Sequence, residues 1–320
     1  MKGLVWFRED LRIHDNTALY HASQHCEQGI LGIYIIDTSS WKKHHMVACR
    51  VQFLLTGLLE LSQNLQSHGI GLLVKSVKKT KNIPVLLHQT IKKYQLDSVY
   101  FNKQYEIDEK RRDQTVHHYL KQFGIKCIGF DDQVILPPGT IQTKQAKMFS
   151  VFTPYKRAYL KLLFNNQTHI PHYDLPRSQS LLKVRSSKVP LKLAGFSSSI
   201  IWPSGEKEAQ RRLKKFIKND LFSYHKTRDF PAFAGTSLLS PYLAAGMISP
   251  RQCLLAALMA NNGECEGGNK GATTWINELI WRDFYKHLLA AILRLSMHKA
   301  YRLETEKLKW RYNLKQLQAW

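Results

Sequence analysis

The sequence predicts an α/β domain built on a five-stranded parallel, Rossmann-like sheet, followed by an all-helical domain. Three observations carry that expectation. Over the first 135 residues, short apolar runs alternate with amphipathic helical stretches, the rhythm of strands joined by crossover helices. A stretch over 165–206, rich in Asn, Ser, Pro and Lys, interrupts the rhythm, and beyond it the apolar period is helical throughout. The chain has 320 residues, 44% of them hydrophobic and seven of them tryptophan, which is enough core for two domains rather than one. The expected division is 1–135 for the α/β domain, 136–205 for a surface-draped linker, and 206–320 for the helical domain.

The expected strands are "GLVWF" (3–7), "GILGIYIID" (29–37), "GIGLLVKS" (69–76), "SVYFN" (98–102) and "IKCIGF" (125–130). The intervening run 47–69 reads as a helix that closes on a glycine suited to a left-handed C-cap. Open parallel sheets bind ligands beyond the carboxyl ends of their strands. Trp6, Phe7 and Arg8 lie at one such end and Asn102 to Glu106 at another. Neither G-x-G-x-x-G nor G-x-x-x-x-G-K-[ST] occurs, so the usual glycine cradles for dinucleotides and triphosphates are missing.

After a "PPG" turn at 137–139, helical patterns are expected over 206–225, 240–263 and 273–295. The last contains "WINELIWRDFY" (275–285). On a helix, Ile276, Ile280 and Phe284 share one side with Leu279 at its edge, an ordinary core face. Trp275, Glu278, Trp281, Arg282 and Tyr285 share the other. A carboxylate among aromatics is costly unless paired, and Arg282, one turn on, is the expected partner.

Lys and Arg outnumber Asp and Glu by 47 to 24, a net charge of +23, which favours polyanionic partners such as phosphate backbones. Cysteines 26, 49, 127, 253 and 265 form no C-x-x-C and suggest reduced thiols. No zinc spacing points to a metal site, and neither a signal peptide nor a membrane-length apolar run is present. A cytoplasmic protein is expected.

Six stretches in order carry a resemblance: "VWFREDLRIHDNTAL" (5–19), "YEIDEKRRD" (105–113), "GFDDQVILPPG" (129–139), "VFTPYKRAYLK" (151–161), "RDFPAFAGTSLLSPYLAAGMISPRQC" (228–253) and "WINELIWRDFYKHL" (275–288). Together they resemble the photolyase/cryptochrome family, most closely the bacterial enzymes that repair cyclobutane pyrimidine dimers with light. Read alone, Arg8, Asp10, Arg12 and Asp15 are a salt-bridged loop. The resemblance implies a helical domain holding flavin adenine dinucleotide (FAD) beneath a cavity for a flipped-out dimer. It implies a monomeric lyase acting on dimer-containing DNA by electron transfer from reduced FAD. A cryptochrome-like blue-light sensor and an inactive remnant are the alternatives.

By position, the resemblance assigns Glu278 and Trp281 to the substrate side. It assigns Tyr224, Thr236, Ser237, Leu238, Leu239, Ser240, Trp275, Glu278 and Arg282 to FAD. The hydroxyls of Thr236, Ser237 and Ser240 also precede a helical run, where anions bind readily, although Ser and Thr there are ordinarily N-caps. Arg228, Glu278, Trp281, Arg282 and Tyr285 would meet DNA. Folate-binding members have an Asn-Glu pair where this chain has Asp108-Glu109, while His44 matches, so 5,10-methenyltetrahydrofolate is a possible antenna. Where the family has Cys-Lys before a histidine, Ser296-Met297 precedes His298. "LKWRYNLKQLQAW" (308–320) matches the family's approach to its inner flavin-binding helices, and there the sequence ends. The expectation is a C-terminally incomplete photolyase that retains FAD poorly, with a further fragment as a potential partner. Trp310 matches the outer electron-transfer tryptophan, with Trp320 beside it. Without inner partners Trp310 reads as an exposed helix-packing residue, and Trp275 and Trp281 are expected to be partly exposed.

Overall fold

A computed structural model of the chain describes residues 1–165, 170–177, 182–199 and 202–320. Five parallel strands, β1 (Gly3–Phe7), β2 (Ile30–Asp37), β3 (Leu72–Val77), β4 (Ser98–Asn102) and β5 (Lys126–Phe130), form a sheet in the order β3-β2-β1-β4-β5. The register pairs Gly3 with Ile30 on one side and with Ser98 on the other. Helices α1 (Thr17–His25), α2 (Thr38–Lys43), α3 (Ala48–Ser67), α4 (Ile83–Tyr94) and α5 (Ile107–Lys121) accompany it. Side chains of β1 alternate between two cores: Leu4 and Trp6 join Ile33, Val99 and Val116, while Val5 and Phe7 face Leu58, Tyr155 and the helical half. The order reverses between β1 and β4, which opens a crevice at their carboxyl ends.

The β3 strand begins three residues later than expected because the glycines ahead of it have other work. Gly69, at φ +72°, terminates α3 with its N–H on the Gln66 carbonyl at 3.0 Å. Gly71 lies where a Cβ would stand 2.2 Å from the Val184 carbonyl oxygen. Residues 182–189 run along the open edge of β3: Ser187 N–H donates to Leu72 O at 2.8 Å, and Leu72 N–H to the Ser186 hydroxyl at 3.0 Å. The expected surface linker therefore caps a sheet edge, and it sends Val189 and Phe196 into the core.

The helical half comprises α6 (Phe152–Asn165), α7 (Glu206–Asn219), α8 (Tyr224–Thr227), α9 (Ser240–Ala244), α10 (Pro250–Ala260), α11 (Lys270–Ala291) and α12 (Leu314–Ala319). Helix α11 is its axis and touches α6, α8 and α10. The single helical run expected over 240–263 is broken into α9 and α10. Gly246 makes the break at φ +64°, and a Cβ there would stand 2.1 Å from the Glu9 carbonyl oxygen. Ser249 and Gln252 then form a reciprocal capping box before Pro250 starts α10. No helix among the described residues is long and apolar enough to cross a membrane, and the five cysteines are free.

Candidate functional site

Two polar regions join the sheet to the helices. The first is a sealed seam. Arg12, Asp15, Asp132 and Arg251 are each at most 1% exposed. Arg12 and Arg251 donate to the two oxygens of Asp132 at 2.7 and 2.8 Å, and Arg251 Nε donates to Asp15 at 3.0 Å. The Ser249 hydroxyl also donates to Asp15. Glu206, at the start of α7, accepts the backbone N–H groups of Ile13 and His14, each at 2.9 Å. Burial pushes the Asp132 carboxyl up, but the two guanidinium groups outweigh it and hold the group well below the usual carboxylate range. The salt-bridged loop expected of Arg8, Asp10, Arg12 and Asp15 does not close on itself: Arg8 pairs with Asp113, Arg12 with Asp132 and Asp15 with Arg251, and neither Asp132, Glu206 nor Arg251 is singled out from sequence.

The second region is open. A cavity of about 1270 Å³ lies between the carboxyl ends of β1, β2 and β4 and the facing helices α9 and α11. Glu9, Gln104 and Glu106 line it from the sheet, and Tyr224, Ser237, Leu239, Ser240, Trp275, Glu278 and Arg282 from the helical side. Helix α11 aims the last three there because 275, 278 and 282 fall one turn apart along one face. Its opposite face buries Ile276, Ile280 and Phe284. Trp275 is only 4% exposed and packs against Phe216 with ring centroids 4.9 Å apart. This corrects the expectation of a partly exposed Trp275: α7 covers its ring.

The expected Glu278–Arg282 pair does not form. Glu278 takes the guanidinium of Arg228 from the loop after α8, and Arg282 donates to the Gln133 carbonyl. Spacing permitted the intrahelical pair, but a tertiary cation reaches Glu278 first. Arg228 also lies over the Tyr224 ring at 5.5 Å.

Around "GTSLLS" the readings separate. Leu239 is buried at 1% exposure, while Thr236 and Leu238 are exposed and lie outside the cavity lining. The helix that follows has five residues and no side-chain cap, so the simple N-cap reading fails. Ser237 and Ser240 line the cavity, and their hydroxyls have no hydrogen-bond partner among the described residues. Those free donors face the space a ligand would fill.

At the other end of the cavity, His44, Asp108 and Glu109 come together. Asp108 is already engaged, by Lys43 at 2.5 Å and by His44 Nε2 at 3.1 Å. The Lys43 hydrogen bond chiefly holds its carboxyl below the ordinary value. Ser296 accepts the Ile107 N–H at 3.0 Å and, with His298, lines the same end.

Trp281 and Tyr285 do not line the cavity. Trp281 stacks on Phe152 with centroids 3.5 Å apart and planes 8° from parallel, and Tyr285 flanks it at 5.5 Å. Tyr285 is 60% exposed. Trp310, 71% exposed, sits in an irregular stretch rather than on a helix, and Trp320 is fully exposed. The helix-packing reading of Trp310 is therefore wrong.

Asp283 was missed from sequence. It is fully buried, accepts the N–H groups of Ile135 and Leu136 at 2.8 and 3.3 Å, and accepts the Tyr159 hydroxyl at 3.1 Å. Burial raises its carboxyl to about 6. The signal was present: seven residues after Ile276 and three after Ile280, an aspartate sits on the apolar face.

The family model for DNA photolyase matches residues 3–174. A deoxyribodipyrimidine photo-lyase of Escherichia coli is 36% identical across 99% of this chain and 66% of its own length. One of Vibrio cholerae is 35% identical across 99% and 67%. The chain belongs to the DNA photolyase family. It spans about two thirds of the length of these relatives. A class III photolyase of Agrobacterium tumefaciens superposes over the whole chain and 65% of its own, with a TM-score of 0.81 at 28% identity. A Synechocystis cryptochrome shares the fold at the same TM-score and 23% identity.

Proposed function

We propose that this protein acts in light-driven repair of cyclobutane pyrimidine dimers in DNA, with FAD bound in the cavity between sheet and helices. One observation carries the reading: a single wall brings together unpartnered hydroxyls, a guanidinium and an indole. Ser237 and Ser240 suit a diphosphate, whose oxygens accept hydroxyl and backbone N–H bonds. Trp275, Leu239 and Leu243 supply an apolar surface for flat rings, and Tyr224 and Arg282 close the wall at its ends. FAD fits that donor set. When bound, it supplies the photo-excited electron that splits the cyclobutane ring and receives it back.

The chain's own residues do the positioning. Glu278 offers a carboxylate acceptor to the N–H edge of a flipped pyrimidine, a base-flipping geometry. Its partner Arg228 is free to exchange that carboxylate for a backbone phosphate when DNA arrives. Trp281 and Tyr285, in their stack with Phe152, form an aromatic shoulder beside the dimer rather than a cavity wall. At the far end, His44, Asp108 and Glu109 hold an antenna pigment of the methenyltetrahydrofolate type. Dimer-containing oligonucleotides, incubated with the FAD-loaded, reduced protein, should be restored under blue light and not in the dark. Light-induced flavin changes without repair would instead identify a light sensor.

A further inference from the structure

We propose that the outer face of α7 is a second DNA-contacting surface, separate from the cavity and indifferent to damage. The proposal rests on the DNA reading above and extends it to a surface that reading does not use. On α7, Lys207, Arg211, Lys214, Lys215 and Lys218 are exposed, and at ~100° per residue they fall within about 100° of arc. The opposite face buries Ala209, Leu213 and Phe216. Phe216 packs on Trp275 and Tyr224, both cavity residues, at 4.9 and 5.7 Å. The basic face is therefore the outside of the cavity wall.

A face that merely needs water alternates its charges so that neighbours one turn apart attract. This one does the reverse. Lys207 and Arg211, Arg211 and Lys215, and Lys214 and Lys218 are like-charged pairs four residues apart, each repulsive in an isolated helix. Glu208 is the relieving acid, and Arg211 and Arg212 share it at 2.6 and 2.8 Å. Lys207, Lys214, Lys215 and Lys218 have no ion-pair partner among the described residues. The ridge runs about 16 Å along the axis, enough to follow roughly five base pairs of duplex, where phosphate charge is densest. Exposed Phe222, just beyond its end, and Lys226 carry the surface on toward Arg228 at the cavity rim.

The test is a salt titration of binding to an undamaged, labelled duplex. The protein would be compared with a variant carrying Lys207→Ser, Lys214→Ser, Lys215→Ser and Lys218→Ser together. The slope of log K against log salt should fall by about 3 to 4, close to 0.9 per lost phosphate contact, while FAD binding stays as in the wild type. An unchanged slope and affinity would overturn the proposal and leave the DNA reading standing. Failure of the wild-type protein to bind duplex would overturn both. Loss of binding to vesicles containing phosphatidylserine, or to single-stranded RNA, with the duplex slope intact would assign the ridge to another partner and overturn it too.

Discussion

The seam and the cavity are both polar, both charged, and both bridge the sheet to the helices, yet they do opposite things. In the seam every charge has an opposite charge or a backbone group within hydrogen-bond reach, and exposure is close to zero. In the cavity, the hydroxyls of Ser237 and Ser240 have nothing to bind, and Glu278 keeps one oxygen free of the Arg228 pair. Saturated polar groups fix a structure; unsaturated ones facing open space await a ligand. The charges of "LRIHD" (11–15) and "NELIWR" (277–282) look alike in sequence, and only the count of partners separates them.

That contrast should break first in the seam. Arg251→Ala leaves Asp15 and Asp132 buried with reduced compensation, and should destabilise the protein by about 3–5 kcal/mol, read as a lowered midpoint in urea. A change under about 1 kcal/mol would mean the seam is not what joins the two halves. Asp283 comes next. Its folded-state pKa of about 6 lies above the unfolded value, so its contribution is most favourable below about pH 4. It declines as pH rises through 4 to 6, by about 3 kcal/mol in all at ~1.4 kcal/mol per unit. Asp283→Asn should flatten that part of the stability profile, which parallel denaturation series at pH 4 and pH 7 would show.

The cavity should respond in ligands rather than in stability. Glu278→Ala removes a part-exposed pair and should change stability by less than about 1 kcal/mol. It should also weaken dimer-containing DNA by roughly 1–3 kcal/mol, a 5- to 150-fold loss in a filter-binding or anisotropy assay. The smallest effect is expected at the far end. Asp108→Asn should leave stability within about 0.5 kcal/mol while removing a charged acceptor from the pigment site. Methenyltetrahydrofolate should then bind more weakly than to the wild type; tighter binding would show that Asp108 only occupies Lys43 and His44.

Much of this was legible in the chain. The five strands were readable because each is a short β-branched or aromatic run between turns, a local property. The α9–α10 break was not, because Gly246 answers to the carbonyl of Glu9, 237 residues earlier in the sequence. The partner of Glu278 was misread for the same reason: helix spacing exposes Arg282, while Arg228 arrives through a loop. The cover of Trp275 was not legible either, because its neighbour Phe216, on α7, is distant in sequence. Asp283 could have been found, since a carboxylate within an apolar stripe must be either paired or costly.

If the open cavity is a flavin site, the free hydroxyls of Ser237 and Ser240 bind the diphosphate. FAD titrated into the protein, followed by quenching of flavin fluorescence, tests it most directly, with Ser237→Ala/Ser240→Ala and Asp108→Asn variants in parallel. Saturable binding should be seen, weakened by about tenfold in the double serine variant, as expected for one to two lost hydrogen bonds, and unchanged in Asp108→Asn. Absence of saturable binding, or binding that survives loss of both hydroxyls undiminished, would contradict it.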